Sequence, residues 1–282
     1  MIQFANKNTA LEVRSMWKIC FEDTDEYMDL YFSRQYRDEN TLIYWVDNKA
    51  VASLQMIPYT IRFYGEVVPF YYLAGLCTLS EYRNKGYMGK LIRESFLIMK
   101  ERNIPLSILV PAEDWLFGYY EKYGFATTFD KGAKDIEFSK FLKKHENNCS
   151  NAYQEFDKTY QQNDFCVLKS EYDFETIIKE YLQDKCPPKY NLAGMSCIID
   201  PSVMLRLYAQ KNLDKNFKIK VEHDIYQISQ GKVEQSNSSN FDIAVNINML
   251  ARLLFGFHTN ELSEEYSSLF EEHQPILNLM LE

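Results

Sequence analysis

The chain has 282 residues, 46% hydrophobic and 25% charged, with 10 glycines and 8 prolines. That length suits two domains, and the composition excludes collagen-like, mucin-like and predominantly disordered chains. Lys and Arg number 31 against 40 Asp and Glu, a net charge of −9 that would repel a phosphate backbone, so no nucleic-acid partner is expected.

The N-terminal stretch Met1-Ile2-Gln3-Phe4-Ala5-Asn6-Lys7 lacks the basic start and apolar core of a secretory signal. No run approaches the ~18 apolar residues of a membrane span. The expectation is a cytoplasmic protein with no membrane partner. The six cysteines include no C-x-x-C pair, and the four histidines show no ligand-like spacing with them, so reduced thiols and no metal are expected.

In chain order, the spacing of Leu11, Val13, Met16, Trp17 and Cys20 predicts a first helix, and Asp25 opens a second through Tyr27, Met28, Tyr31 and Phe32. Strands follow at 41–46, 50–63 and 67–78, separated by turn signals at Asp47-Asn48-Lys49 and Tyr64-Gly65-Glu66. After residue 82 the period lengthens to that of a helix, with Met88, Leu91, Ile92, Ser95, Phe96 and Met99 on one face. An apolar run from Leu106 to Val110 predicts a strand, and a helix over about 113–123 should stop at Gly124. Residues 132–164 are polar and read as connection or surface. Asp200-Pro201 is an N-cap followed by Pro in the first turn. Two alternating strands, at Phe217/Ile219/Val221 and Phe241/Ile243/Val245/Ile247, bracket a turn candidate at Gln230-Gly231. Helical patterns at 249–255 and 265–272 end the chain.

The stretch that carries chemistry joins the third strand to the long amphipathic helix: Leu76-Cys77-Thr78-Leu79-Ser80-Glu81-Tyr82-Arg83-Asn84-Lys85-Gly86-Tyr87-Met88-Gly89-Lys90. Glycines at such a junction let the backbone approach an anion, and the free N–H groups of a first helical turn bind phosphate oxygens. A basic turn with glycines placed for packing is the alternative. Arg83-x-x-Gly86-x-Met88-Gly89 is similar to the coenzyme A pyrophosphate loop of the GNAT superfamily of N-acetyltransferases, with Met88 where that family has Gly or Ala. Tyr120-Glu121-Lys122-Tyr123-Gly124-Phe125 resembles the end of the next helix in the same family.

The resemblance covers about residues 1–130. It implies a mixed α/β (α+β) fold of GNAT type, a mostly antiparallel sheet with helices on both faces, and acetyl-CoA as co-substrate. Leu76, Cys77, Thr78, Arg83, Asn84, Lys85, Gly86, Tyr87, Met88, Gly89 and Lys90 would then hold the coenzyme, and Tyr120 would protonate the departing thiolate. Direct transfer to an amine is implied, without an acyl-cysteine at Cys77. The last third resembles the sterol-carrier-protein-like domain of Eis-like acetyltransferases, and this implies the C-terminal carboxylate, on Glu282, as general base. The expected organisation is a catalytic domain over 1–134, a shortened middle over 135–196 and a carrier-like α+β domain over 197–282.

Glu22 and Asp25, with Glu113 and Asp114, would form an acidic wall suited to a cationic amine, either a small molecule or a lysine side chain. A solvated acidic face is the alternative. A homo-oligomer is compatible with the resemblance. Two other functions fit the same residues: a non-catalytic binder of acyl-CoA or a hydrophobic ligand, and a transferase using another acyl donor.

Overall fold

The computed structural model describes residues 1–132, 142–145, 148–184, 192–277 and 280. Helices α1 (Ala10–Phe21) and α2 (Asp25–Arg34) follow the short strand β1 (Ile2–Phe4). Thr24 caps α2 by accepting the Tyr27 N–H, and two acids in the first turn suit the helix dipole. The meander β2 (Thr41–Val46), β3 (Lys49–Phe63) and β4 (Glu66–Thr78) comes next. Its turns place Asp47, Asn48, Tyr64 and Gly65 at positive φ, the backbone that two-residue hairpin loops require.

Then come α3 (Tyr87–Glu101), β5 (Leu106–Leu109), α4 (Asp114–Glu121) and β6 (Ala126–Phe129). On one face of the sheet α3 buries Leu91, Ile92, Ile98 and Met99 against Leu42, Leu54, Met56 and Leu73. Each such side chain contributes roughly 1.5–3 kcal/mol. The opposite face is covered by Trp17 of α1 and by Tyr27, Met28 and Tyr31 of α2.

The sheet has eight strands in the order β1-β2-β3-β4-β5-β8-β6, with β7 (Val167–Leu168) on the free end of β3 and β8 (Gly194–Ile198) between β5 and β6. Among the described strand pairs of this sheet β4 and β5 run parallel and the others antiparallel. Strand β8 straddles the boundary expected at residue 197, so chain from the last third completes the first sheet. The polar stretch before it is not all connection, because Cys149–Tyr160 is a helix (α5) that buries Ala152 and Phe156 against α6 (Glu171–Asp184).

A second sheet, β11-β10-β9-β12, uses β9 (Asn216–Val221), β10 (Asp224–Ser229), β11 (Lys232–Ser236) and β12 (Ile243–Val245). The Gln230-Gly231 turn, with both residues at positive φ, joins β10 to β11. The two alternating strands instead pair parallel, as β9 and β12. Helices α7 (Pro201–Lys211) and α8 (Ile247–Leu254) tie this sheet into one continuous core with the first. The final helix, α9, is shorter than its pattern suggested, Glu264–Ser267. Beyond it the chain returns to the large sheet: Ile276 accepts from the Val167 N–H at 3.0 Å and donates to Phe165 at 2.8 Å, and Leu277 accepts from the Leu192 N–H at 2.6 Å.

Candidate active site

Strands β4 and β5 pair only at Phe70↔Leu106, Tyr71↔Ser107 and Tyr72↔Ile108. From Leu73 to Thr78 the β5-side edge of β4 has no strand partner among the described residues, so its backbone groups are open to a ligand. A bulge sharpens the parting. Ser53 faces Cys77 and Gln55 faces Ala74, which leaves one residue more on β4 than on β3. Gly75 sits in that bulge at φ +57, a conformation that side chains disfavour. Leu76, Cys77 and Thr78, expected at the coenzyme, all lie on this stretch.

At the mouth of the gap the basic loop enters α3 through Gly86, which is left-handed at φ +76 with open space where a β-carbon would stand. The helix has no side-chain cap and no acid in its first turn, so its leading N–H groups remain available to an anion. Arg83 donates to the Thr78 carbonyl at 3.1 Å, folding the loop back on β4. Lys85 lies 4.8 Å over the Tyr82 ring and Lys90 bonds the Tyr44 hydroxyl at 3.3 Å. Neither lysine meets a carboxylate within ion-pair distance among the described residues. Asn84, at φ 62, supplies the turn. Tyr87 stacks on Tyr44 at 4.5 Å, and Met88 packs against the core beneath α3.

Gly89 is inside the helix and buried, and a β-carbon there would overlap the Tyr123 hydroxyl. Its missing side chain therefore serves helix packing, where the motif suggested a place in the loop. The same contact sets the segment that follows α4 against α3.

Tyr120 is 7% exposed, with Leu109, Phe125 and Leu91 in its cluster. Burial pushes its phenol up to about 12, so it holds its proton throughout the neutral range. Cys77 is buried, its thiol 3.2 Å from the Ser53 hydroxyl. A hydrogen bond with the Cys20 thiol and burial push it well above the ordinary thiol value, the opposite of an activated nucleophile. Cys20 is lowered to about 7, because Cys77 donates to it and Arg83 adds positive charge.

The acidic residues lie at the ends of α1, α2 and α4. Glu22 is the left-handed C-cap of α1 at φ 58, and Asp25 is exposed and paired with Lys18 at 2.9 Å. Glu113 is the N-cap residue of α4 and accepts from the Trp115 indole at 2.7 Å, and Asp114 starts the helix. Glu282 lies outside the described residues. Sequence reasoning missed Gly75, although a lone glycine in a strand pattern signals a bulge. It also missed the Cys20–Cys77–Arg83 contact, for which spacing offers no signal. Among the described residues no cluster of three His, Cys, Asp or Glu could hold a metal ion, and no helix is long and apolar enough to cross a membrane.

An antiparallel meander parting from a parallel neighbour at a bulge, beside an uncapped helix N-terminus, defines a GNAT-type fold. Residues 2–128 match the family model described as Acetyltransferase (GNAT) domain, so this segment is similar to that domain. Three solved structures share the fold over nearly the whole chain. A probable N-acyltransferase from Enterococcus faecalis has a TM-score of 0.72 at 11% identity, covering 99% of this chain and 98% of that one. Eis1 from Mycobacterium abscessus gives 0.70 at 10%, covering 98% and 94%. A GCN5-related N-acetyltransferase from Anabaena variabilis gives 0.65 at 14%, covering 98% of each. At these identities the likeness is one of fold. No curated protein matches the chain in sequence.

Proposed function

We propose that this protein is an N-acyltransferase that takes acetyl-CoA and passes the acetyl group directly to a primary amine. The observation that carries this reading is the parting of β4 from β5 beyond Tyr72 and Ile108, in a segment that matches the acetyltransferase domain. The exposed edge of Leu76–Thr78 grips the pantetheine arm and polarises the thioester carbonyl through backbone N–H groups. The first turn of α3 with Arg83, Lys85 and Lys90 holds the pyrophosphate. Tyr120 protonates the departing thiolate. As the thiolate leaves, the new C–N bond has formed and the amine has given up a proton to a base. The base we assign is the C-terminal carboxylate on Glu282, and the acceptor a cationic amine drawn by Glu22, Asp25, Glu113 and Asp114. The second sheet we read as a sterol-carrier-like layer.

One observation favours a second reading, a binder of acyl-CoA that does not turn it over: the Tyr120 ring is almost wholly enclosed in the core. Thioester consumption over a panel of polyamines, aminoglycosides and lysine peptides, with calorimetry of coenzyme A binding, separates the two. Turnover with any amine supports transfer. Tight binding without turnover supports the binder, and absence of coenzyme binding removes both.

A further inference from the structure

Three donors converge on the sulfur of Cys20, in the last turn of α1: the Cys77 thiol, the Arg83 guanidinium and the Thr78 backbone N–H. Cys77 and Thr78 belong to the open stretch of β4. Arg83 belongs to the basic loop after it, which it folds back by donating to the Thr78 carbonyl at 3.1 Å. The meeting is built into the packing of α1 on β4. About one turn before Cys20, Trp17 lies over Gly75 in the bulge. Two residues past Gly75, Cys77 shares an apolar cluster with Val13, Met16 and Cys20. Helix and strand are thus in register at two points. Cys20 is partly exposed, Cys77 is 3% exposed, and both are free thiols.

Hydrogen bonds and a nearby cation stabilise a thiolate, and a thiolate open to solvent beside a second thiol is the arrangement that a mild oxidant closes. Cys20 supplies the thiolate. Cys77, kept a thiol by its bond to Cys20 and by burial, is in place to resolve it. Direct acyl transfer uses neither sulfur. We propose that Cys20 and Cys77 are a peroxide-sensitive redox pair that closes to a disulfide and thereby loosens the coenzyme-binding edge of β4. In the first step the Cys20 thiolate takes one oxygen of a peroxide, the O–O bond breaks, and the released hydroxide is protonated to water. The Cys77 sulfur then attacks the sulfenic sulfur; the S–S bond forms as the S–O bond breaks, and the Cys77 proton leaves with the hydroxide as a second water. The two sulfurs give up two electrons, and one hydrogen peroxide becomes two waters. Closure draws the Cys77 sulfur off the Ser53 hydroxyl, 3.2 Å away in the reduced protein, and removes the Cys20 thiolate from Arg83. A shift of about 1 Å in a positioning group can cost roughly 10²-fold. The lost negative charge would by itself favour an anion at Arg83, but Arg83 is exposed and that effect is screened by water, so the displacement of the edge prevails. Closure of the disulfide stands independently of acyl transfer; the loss of coenzyme rests on the function proposed above.

The test treats the full-length reduced protein with hydrogen peroxide, blocks the remaining thiols with iodoacetamide and maps the cysteines by peptide mass spectrometry. Calorimetry follows coenzyme A binding before oxidation, after it and after dithiothreitol, and far-UV circular dichroism checks that the oxidised protein stays folded. A peptide cross-linked through Cys20 and Cys77, an affinity lowered roughly tenfold or more and recovery with dithiothreitol support the switch, with peroxide leaving the affinity of Cys20→Ser where it stood before treatment. Oxidation of Cys20 to its sulfinic acid without the cross-link overturns the pair. A cross-link with unchanged or raised affinity overturns the switch. If the reduced protein binds no coenzyme A, the acyl-transfer reading falls, and the cross-link still decides the redox pair.

Discussion

Trp17 of α1 lies directly against the α-carbon of Gly75 in the β4 bulge: a β-carbon at Gly75 would overlap the six-membered ring of the indole. The indole N–H is held at 2.7 Å by Asp23, in the loop between α1 and α2. The first two helices are thereby set against the point where β4 leaves its neighbour, and the width of the gap depends on the absence of one methyl group.

Gly75→Ala should therefore cost more than its backbone conformation alone. The left-handed φ accounts for about 1–2 kcal/mol, and overpacking against Trp17 adds about 1–3 kcal/mol. Gly86→Ala is the control, since it carries the first cost with nothing for the new methyl to strike. Urea denaturation of both variants should rank Gly75→Ala as the less stable. Equal losses would show that Trp17 yields freely.

Tyr120→Phe should lower turnover by roughly 10²–10⁴-fold, the usual contribution of a general acid, while coenzyme affinity measured by calorimetry changes little. Because burial holds the phenol at about 12, no loss of rate from its ionisation should appear below about pH 10 in the wild-type profile. An unchanged rate in the variant would remove Tyr120 from the chemistry.

Thiol reactivity should single out Cys20. Its value of about 7 contrasts with about 11 for Cys166 and about 12 for Cys197, both raised by burial. The lowered value favours the thiolate, the form that attacks an alkylating agent. Brief iodoacetamide treatment read by peptide mass spectrometry should label Cys20 before either of the others. Arg83→Gln should slow that labelling by withdrawing a stabilising charge.

His258 joins the end of β6 to the second layer, bonding Asp130 at 2.7 Å and Glu261 at 3.0 Å. The Asp130 bond, then the Glu261 bond, raises its pKa above the ordinary 6.5. The extra stability is complete below the unfolded value and lost as pH rises through the raised folded value. The urea midpoint should fall between pH 6 and pH 8.5 by more in the wild type than in His258→Gln. The effect should be small, because the histidine side chain is 40% exposed.

By itself the sequence determined what depends on neighbours along the chain. The meander, α3, β5 and α4 follow from period and turn residues within a residue or two, and the loop with Tyr120 is legible because its parts lie on one strand–helix–strand–helix run. What only the tertiary structure decided involves residues far apart in sequence. Nothing local tells β8 to enter the sheet between β5 and β6, and nothing assigns Gly89 to Tyr123 or brings Cys20 to Cys77. Lys169 is the clearest case: nothing in its neighbours along the chain marks it as buried. It becomes a buried cation because β7 docks on β3 and the tail returns to cover it, so its environment is set by chain segments more than a hundred residues apart.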